Sequence, residues 1–263
     1  MAETPASPFA VVLTVAYDGS RFSGFARQPE TVTVQGSLES ALATVLRQPA
    51  DTVGAGRTDA GVHALGQVVS FDANGAEPDD ASLRRSLNAL VADGIVVHEV
   101  RRARAGFSAR FDAVSREYRY RLVTGAVPPL FLAPVAWWVK GALDVDAMRH
   151  AAGSLVGEHD FRSFCVAESA EGKRTVRRVD SIEIFAEDQL GEECLVVRVV
   201  GNAFLHSMVR VIVGSLVEVG RGRRPAVWVA EALDACNRTA AGPTAPSRGL
   251  TLWRVDYPDE VWL

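Results

Sequence analysis

Segments with the twofold periodicity of a strand and segments with the periodicity of a helix interleave along this chain, and none of either kind is long. Residues 11–17 read as a strand, and Leu38, Leu42, Val45 and Leu46 mark one face of a helix expected over residues 35–47. Residues 68–71 are strand-like. Asp79 and Asp80 stand where acidic side chains favour a helix N-terminus, followed by Leu83, Leu87 and Leu90 at spacings of four and three; residues 95–100 read as another strand. Residues 114–123 alternate, with Val114, Arg116, Tyr118, Tyr120 and Leu122 on one face and Ser115, Glu117, Arg119 and Arg121 on the other, a strand with one mixed and potentially ligand-facing side. After the loop TGAVPPLFLAP a similar order returns: a helix over residues 144–155, strands near 181–185 and 195–200, helices over 204–219 and 226–235, and a last strand over 250–257.

Such alternation, with hairpin-like neighbours and few βαβ crossovers, predicts an α+β fold with largely antiparallel sheet, and the recurrence suggests two similar α/β halves. A chain of 263 residues suits one large domain or two fused halves, and its 48% apolar content is enough to fill interiors of that size. The first ten residues lack a basic start and an apolar run, and no later stretch reaches the ~18 apolar residues of a membrane span. Cys165, Cys194 and Cys236 are odd in number, far apart and in no CxxC pair, which argues against a disulfide framework and a thiolate metal site. The chain is expected to be soluble, in a reducing cytoplasm.

The net charge of −4 conceals an uneven distribution. Arg101, Arg102, Arg104, Arg110, Arg116, Arg119 and Arg121 face only Asp112 and Glu117 within their stretch. A second knot holds Lys173, Arg174, Arg177 and Arg178, and a third holds Arg221, Arg223 and Arg224. Only Lys140 and Lys173 of the 28 basic residues are lysine, so planar guanidinium forks suited to phosphate dominate. The arginines serve either as an RNA track or as solvated faces of an Arg-rich chain.

Two polar residues stand out against their surroundings. In GRTDAGVHALGQ, Asp59 sits among Gly54, Gly56 and Gly61 on an expected tight loop between strands, where glycines admit close approach to a ligand. An Asp so placed can equally cap backbone N–H groups in a turn, and a metal site with His63 lacks further clustered ligands. In FLHSMVRVIVGSLVEVG, Arg210 interrupts a stripe of Leu205, Met208, Val209, Ile212, Leu216 and Val219; it either snorkels to solvent or meets an anion. A pair with Asp59 at ~4 Å would bring about 4 kcal/mol of raw Coulomb attraction at an effective dielectric of roughly 20, before desolvation, and would hold the carboxylate ionised.

GRTDAGVHALGQVVSF, with YDGSRFSGFARQP near the start, FSARFDAVSREYRYRL in the middle, GEHDFRSF, FLHSMVRVIVGSLVEVG and RGLTLWRVDYP, resembles the bacterial tRNA pseudouridine synthase A family in motif and in motif order, over nearly the whole chain. The resemblance implies isomerisation of uridine to pseudouridine at positions 38, 39 and 40 of the tRNA anticodon stem-loop, without cofactor or metal. It implies two α/β halves over a central basic cleft and a homodimer in which each tRNA contacts both subunits. The halves are expected at 1–104, with the aspartate loop, and 105–263, with the tyrosine strand and the arginine helix. Matched position by position, Asp59 is the catalytic aspartate, Tyr118 stacks on the target base and takes part in the chemistry, and Arg210 pairs with the aspartate. Arg57 displaces the base, and Leu250 lies in an apolar pocket wall. Ala26 departs from the pattern, standing where relatives often carry glutamine. Two rival classes are a non-catalytic RNA-binding module, which loss of the Asp or Tyr would favour, and a metal-dependent nuclease or phosphotransferase built on Asp59 and His63.

Overall fold

The computed structural model describes residues 8–73 and 77–263. The chain forms two compact units, Met1–Val114 together with Leu252–Leu263, and Ser115–Thr251. The fold is mixed α+β with mostly antiparallel strand pairing, the class read from the periodicities. Among the described residues no helix is long and apolar enough to cross a membrane.

The first unit contains β1 (Ala10–Tyr17), α1 (Val34–Leu46), β2 (Val53–Gly54), β3 (His63–Asp72), α2 (Asp80–Leu90) and β4 (Ile95–Ala103). β1 lies between β3 and β4, antiparallel to both, with Leu13 opposite Val69 on one side and Val100 on the other. Its sequence AVVLTVAY is buried almost throughout, as expected of a central strand. Thr33 caps α1 by accepting the Gly36 N–H, and Asp79 caps α2 by accepting the Ser82 N–H at 2.9 Å. Leu38 and Leu42 of α1 and Leu83 and Leu87 of α2 are fully buried, each worth roughly 1.5–3 kcal/mol of transfer free energy. β3 begins at His63, well before the apolar run at residue 68, because its pairing with β1 continues to Ala64 opposite Tyr17.

The second unit contains β5 (Ser115–Gly125), β6 (Trp137–Lys140), α3 (Val145–Gly153), β7 (Gly157–Asp160), α4 (Ala167–Ala170), β8 (Val176–Gln189), β9 (Glu192–Gly201), α5 (Met208–Gly220) and α6 (Trp228–Asp234). Its strands run in the order β5-β9-β8-β7, with β6 parallel to β5. β8 and β9 form a hairpin closed by Leu190 and Gly191, both at positive φ, the backbone of a type I′ turn whose twist suits the flanking strands. β10 (Leu250–Asp256) starts in this unit and continues in the first. α5 starts at Met208, not at Phe204, because Ser207 adopts a left-handed φ of 59° and stops the helix there. The short strands β6 and β7 carry no alternation that the sequence reading used.

One carboxylate shapes the long loop after β5. Glu192 accepts the backbone N–H groups of Leu130, Phe131 and Leu132 at 2.6, 3.1 and 2.8 Å. Leu132 is thereby seated in a cluster with Val123, Ala136, Cys194 and Val196, while Leu130 and Phe131 stay exposed. The donors from Leu130 and Leu132 hold the Glu192 carboxyl below the usual carboxylate range. A depressed folded-state pKa means the clamp contributes fully above the ordinary glutamate range and is lost as pH falls through the folded value. Glu192→Ala should therefore speed chymotryptic cleavage at Phe131 several-fold at neutral pH; equal cleavage rates for parent and variant would contradict this role.

Candidate active site

In the first unit the backbone on either side of Asp59 is anchored from several elements. β1 ends at Tyr17, whose buried hydroxyl meets the Thr58 hydroxyl at 2.8 Å. Gln67 of β3 points its amide at the same place, donating to the Gly56 carbonyl at 2.9 Å and to the Tyr17 oxygen at 3.3 Å. The Tyr17–Thr58 contact joins two hydroxyls, either of which can donate. Burial pushes the Tyr17 pKa up to about 12, against the opposing hydrogen bonds from Thr58 and Gln67, so the donor proton is present across the working range of pH.

Further bonds tie the loop to β3 and to the segment after β1. Ala55 N–H donates to Val68, Phe25 N–H to the Thr58 carbonyl, and Gly61 N–H to the Gly19 carbonyl, at 2.8, 3.1 and 3.2 Å. Gly24 sits at φ +100°, and a Cβ there would come to 3.1 Å from the Thr58 carbonyl oxygen, so this position needs glycine twice over. The His63 ring is part of the scaffold: its Nδ1 accepts the Gly19 N–H at 3.2 Å. The same atom lies 3.3 Å from the Asp18 carboxylate. On this frame Thr58 faces inward and is buried, Asp59 is half-buried and Arg57 is exposed. The arrangement holds a carboxylate still through its backbone while leaving it partly open.

The second unit carries Tyr118, Arg210 and Leu250. Tyr118 on β5 is 8% exposed and meets Phe204 edge-on, with ring centroids 5.1 Å apart. Arg210 lies in the first turn of α5, the end of a helix least favourable for a cation by roughly 0.3–1 kcal/mol. It is half-buried, and its Nε donates to the Ala245 carbonyl at 2.8 Å while the Ala245 N–H returns a bond to the Arg210 carbonyl at 3.1 Å. Simple snorkelling does not describe a guanidinium fixed in this way. Leu250 is buried at the start of β10.

The arginine-rich run is engaged largely inside its own unit. In the first unit Arg102 pairs with Asp80 at 2.6 Å, Arg104 pairs with Asp112 at 2.6 Å, and the Arg101 Cζ lies over the Trp262 ring, 3.8 Å from its centroid. In the second, Arg116 donates to the Asn202 carbonyl, Arg121 to Thr251, and Arg119 to the buried Glu117, which also binds Arg198. Burial alone would raise the Glu117 pKa; the two guanidiniums more than reverse that, and the carboxyl is held low. Composition counted these charges as available, whereas structure uses many of them for folding. Lys173 and Arg174 of the second knot, by contrast, are exposed.

A family profile described as tRNA pseudouridine synthase matches residues 13–112 and 151–258. The chain belongs to the tRNA pseudouridine synthase family. Members are isomerases, and Arg57, Asp59, Arg210 and Leu250 fall inside the matched segments, while Tyr118 lies between them. Relatives named tRNA pseudouridine synthase A include one from Brevibacillus brevis, 48% identical over 92% of this chain and 97% of its own length. Another from Leptospira biflexa is 42% identical over 94% and 93%, and one from Geobacillus kaustophilus is 43% identical over 94% and 93%.

Sequence reasoning singled out Asp59 but not Tyr17, Thr58 or Gln67, which hold its loop. The available signal was Gln67, a lone amide on a strand whose neighbours Val68, Val69 and Phe71 are apolar. Tyr17→Phe removes the hydroxyl that joins Thr58 to Gln67 and should cost about 1–2 kcal/mol in urea unfolding. A loss below about 0.5 kcal/mol would show that the network is not what holds the loop.

Proposed function

We propose that this chain isomerises uridine to pseudouridine at positions 38, 39 and 40 of the tRNA anticodon stem-loop, with Asp59 as the reacting carboxylate. The observation that carries the reading is the setting of Asp59: a half-open carboxylate on an immobilised backbone, inside a segment matched to the family. The reaction breaks the N1–C1′ bond, turns the uracil, joins C5 to C1′, removes the proton from C5 and leaves one on N1. Atoms and electrons balance within the substrate, so the reading includes no cofactor. A fixed carboxylate suits both halves, first meeting the electron-poor centre that bond breaking exposes and then assisting loss of the C5 proton.

The remaining roles follow the chemistry of each side chain. By the family resemblance, Arg210 is the positive charge of the catalytic set. The target uridine must leave its stack at a cost of a few kcal/mol, and stacking on Tyr118, worth ~1–3 kcal/mol, offsets much of that. Exposed Arg57, two residues from Asp59, displaces the base, and Leu250 forms apolar wall. The working form in this reading is a cytoplasmic homodimer in which each tRNA touches both subunits, which rests on the family resemblance.

Asp59→Asn keeps the side-chain shape and removes the charge. It should abolish pseudouridine formation, measured by tritium release from C5-labelled tRNA, while tRNA affinity changes less than about threefold. Turnover within tenfold of the parent would remove Asp59 from the mechanism.

A further inference from the structure

The second tyrosine of REYRY has no role in the reading above, yet among the described residues it is the largest fully buried side chain. Tyr120 stands on β5 two residues after Tyr118. Its hydroxyl donates to the Pro246 carbonyl at 2.7 Å. The preceding carbonyl, that of Ala245, is the one that receives the Arg210 Nε at 2.8 Å. Two successive carbonyls of one short segment are thus held by two side chains, Tyr120 from the sheet and Arg210 from α5.

The segment between them is stiff. Pro246 has its φ locked by the ring, at −53° with ψ 143°, and has no N–H to form a competing bond. Further along, Arg248 donates to the Ala136 carbonyl at 3.2 Å, and Gly249 packs so tightly on the Tyr120 ring that a Cβ would lie 2.6 Å from its nearest ring atoms. Leu250 follows directly. A displacement of the Pro246 carbonyl would therefore pass to the Ala245 carbonyl on one side and to Leu250 on the other.

We infer that Tyr120 is a positioning residue for Arg210: by holding the Pro246 carbonyl it fixes the Ala245 carbonyl against which the Arg210 guanidinium is aimed. The inference rests on the proposed role of Arg210. Burial drives the Tyr120 pKa upward, against the nearby positive charges of Arg210 and Arg248, so the phenol stays a donor throughout the pH range in which the enzyme works. The ring fills space that phenylalanine would also fill. The hydroxyl is the part that positions.

The test uses single-turnover isomerisation of unmodified tRNA by Tyr120→Phe, Arg210→Lys and the double variant, with tRNA affinity and thermal unfolding measured alongside. Tyr120→Phe should fold, bind tRNA within about twofold of the parent and react roughly tenfold more slowly, and the double variant should be no slower than Arg210→Lys alone, since both act through one guanidinium. A parental rate for Tyr120→Phe, a loss confined to tRNA affinity, or multiplicative effects in the double variant would overturn the inference and leave the proposed role of Arg210 standing. A parental rate for Arg210→Lys would overturn that role and the inference with it. Should Tyr120→Phe fail to fold, Gly249→Ala displaces the same ring from outside and is expected to give the same loss of rate at unchanged affinity; a parental rate there overturns the inference equally.

Discussion

The buried contact between the Tyr17 and Thr58 hydroxyls, completed by the Gln67 amide, is the constraint on which the first unit's site depends. A reacting carboxylate has to be held in place without having its own oxygens covered. Bonding the neighbouring backbone and the neighbouring residue holds the loop in place. Burying polar groups in an apolar unit is costly unless they find partners, and here the two hydroxyls and the Gln67 amide nitrogen find theirs on three separate stretches of chain. The network is therefore specific to one loop conformation, the one in which Thr58 is buried and Asp59 half-buried.

The second unit solves a related problem for a cation. Arg210 lies at the end of α5 where the helix dipole opposes it, in a first turn that is otherwise apolar. A backbone carbonyl from the segment before β10 receives its Nε, and that segment is itself braced by Tyr120, Arg248 and the proline ring. In both units the candidate side chain is braced by groups tied to a strand, Tyr17 on β1 in one and Tyr120 on β5 in the other.

How much of this could be read from the sequence depends on how far apart the partners are along the chain. Helices α1 and α2 announce themselves through leucines at helical spacing and through Thr33 and Asp79 at their starts, all within one or two turns. The alternation of residues 114–123 marks β5 well, and Asp59 and Arg210 stand out by contrast with their immediate neighbours. The groups that hold them do not. Tyr17 lies 41 residues from Thr58 and 50 from Gln67, and Tyr120 lies 126 from Pro246, so no local pattern links them. The arginine-rich run shows the same limit from the other side: its excess charge was plain, but its partners Asp80, Asn202 and Thr251 come from distant segments, and only the fold pairs them. The start of α5 falls four residues beyond the expected one because nothing in the apolar string around Ser207 signals the left-handed backbone that bounds the helix.

The central claim is a site-selective isomerisation, and nucleotide-resolution mapping of pseudouridine addresses it most directly. An unmodified tRNA carrying uridines at 38, 39 and 40 would be incubated with the protein alone, in chelator, and sequenced after carbodiimide labelling. The account predicts new pseudouridine at those three positions and none elsewhere in the molecule. Pseudouridine confined to another arm of the tRNA, or none at all, would contradict it.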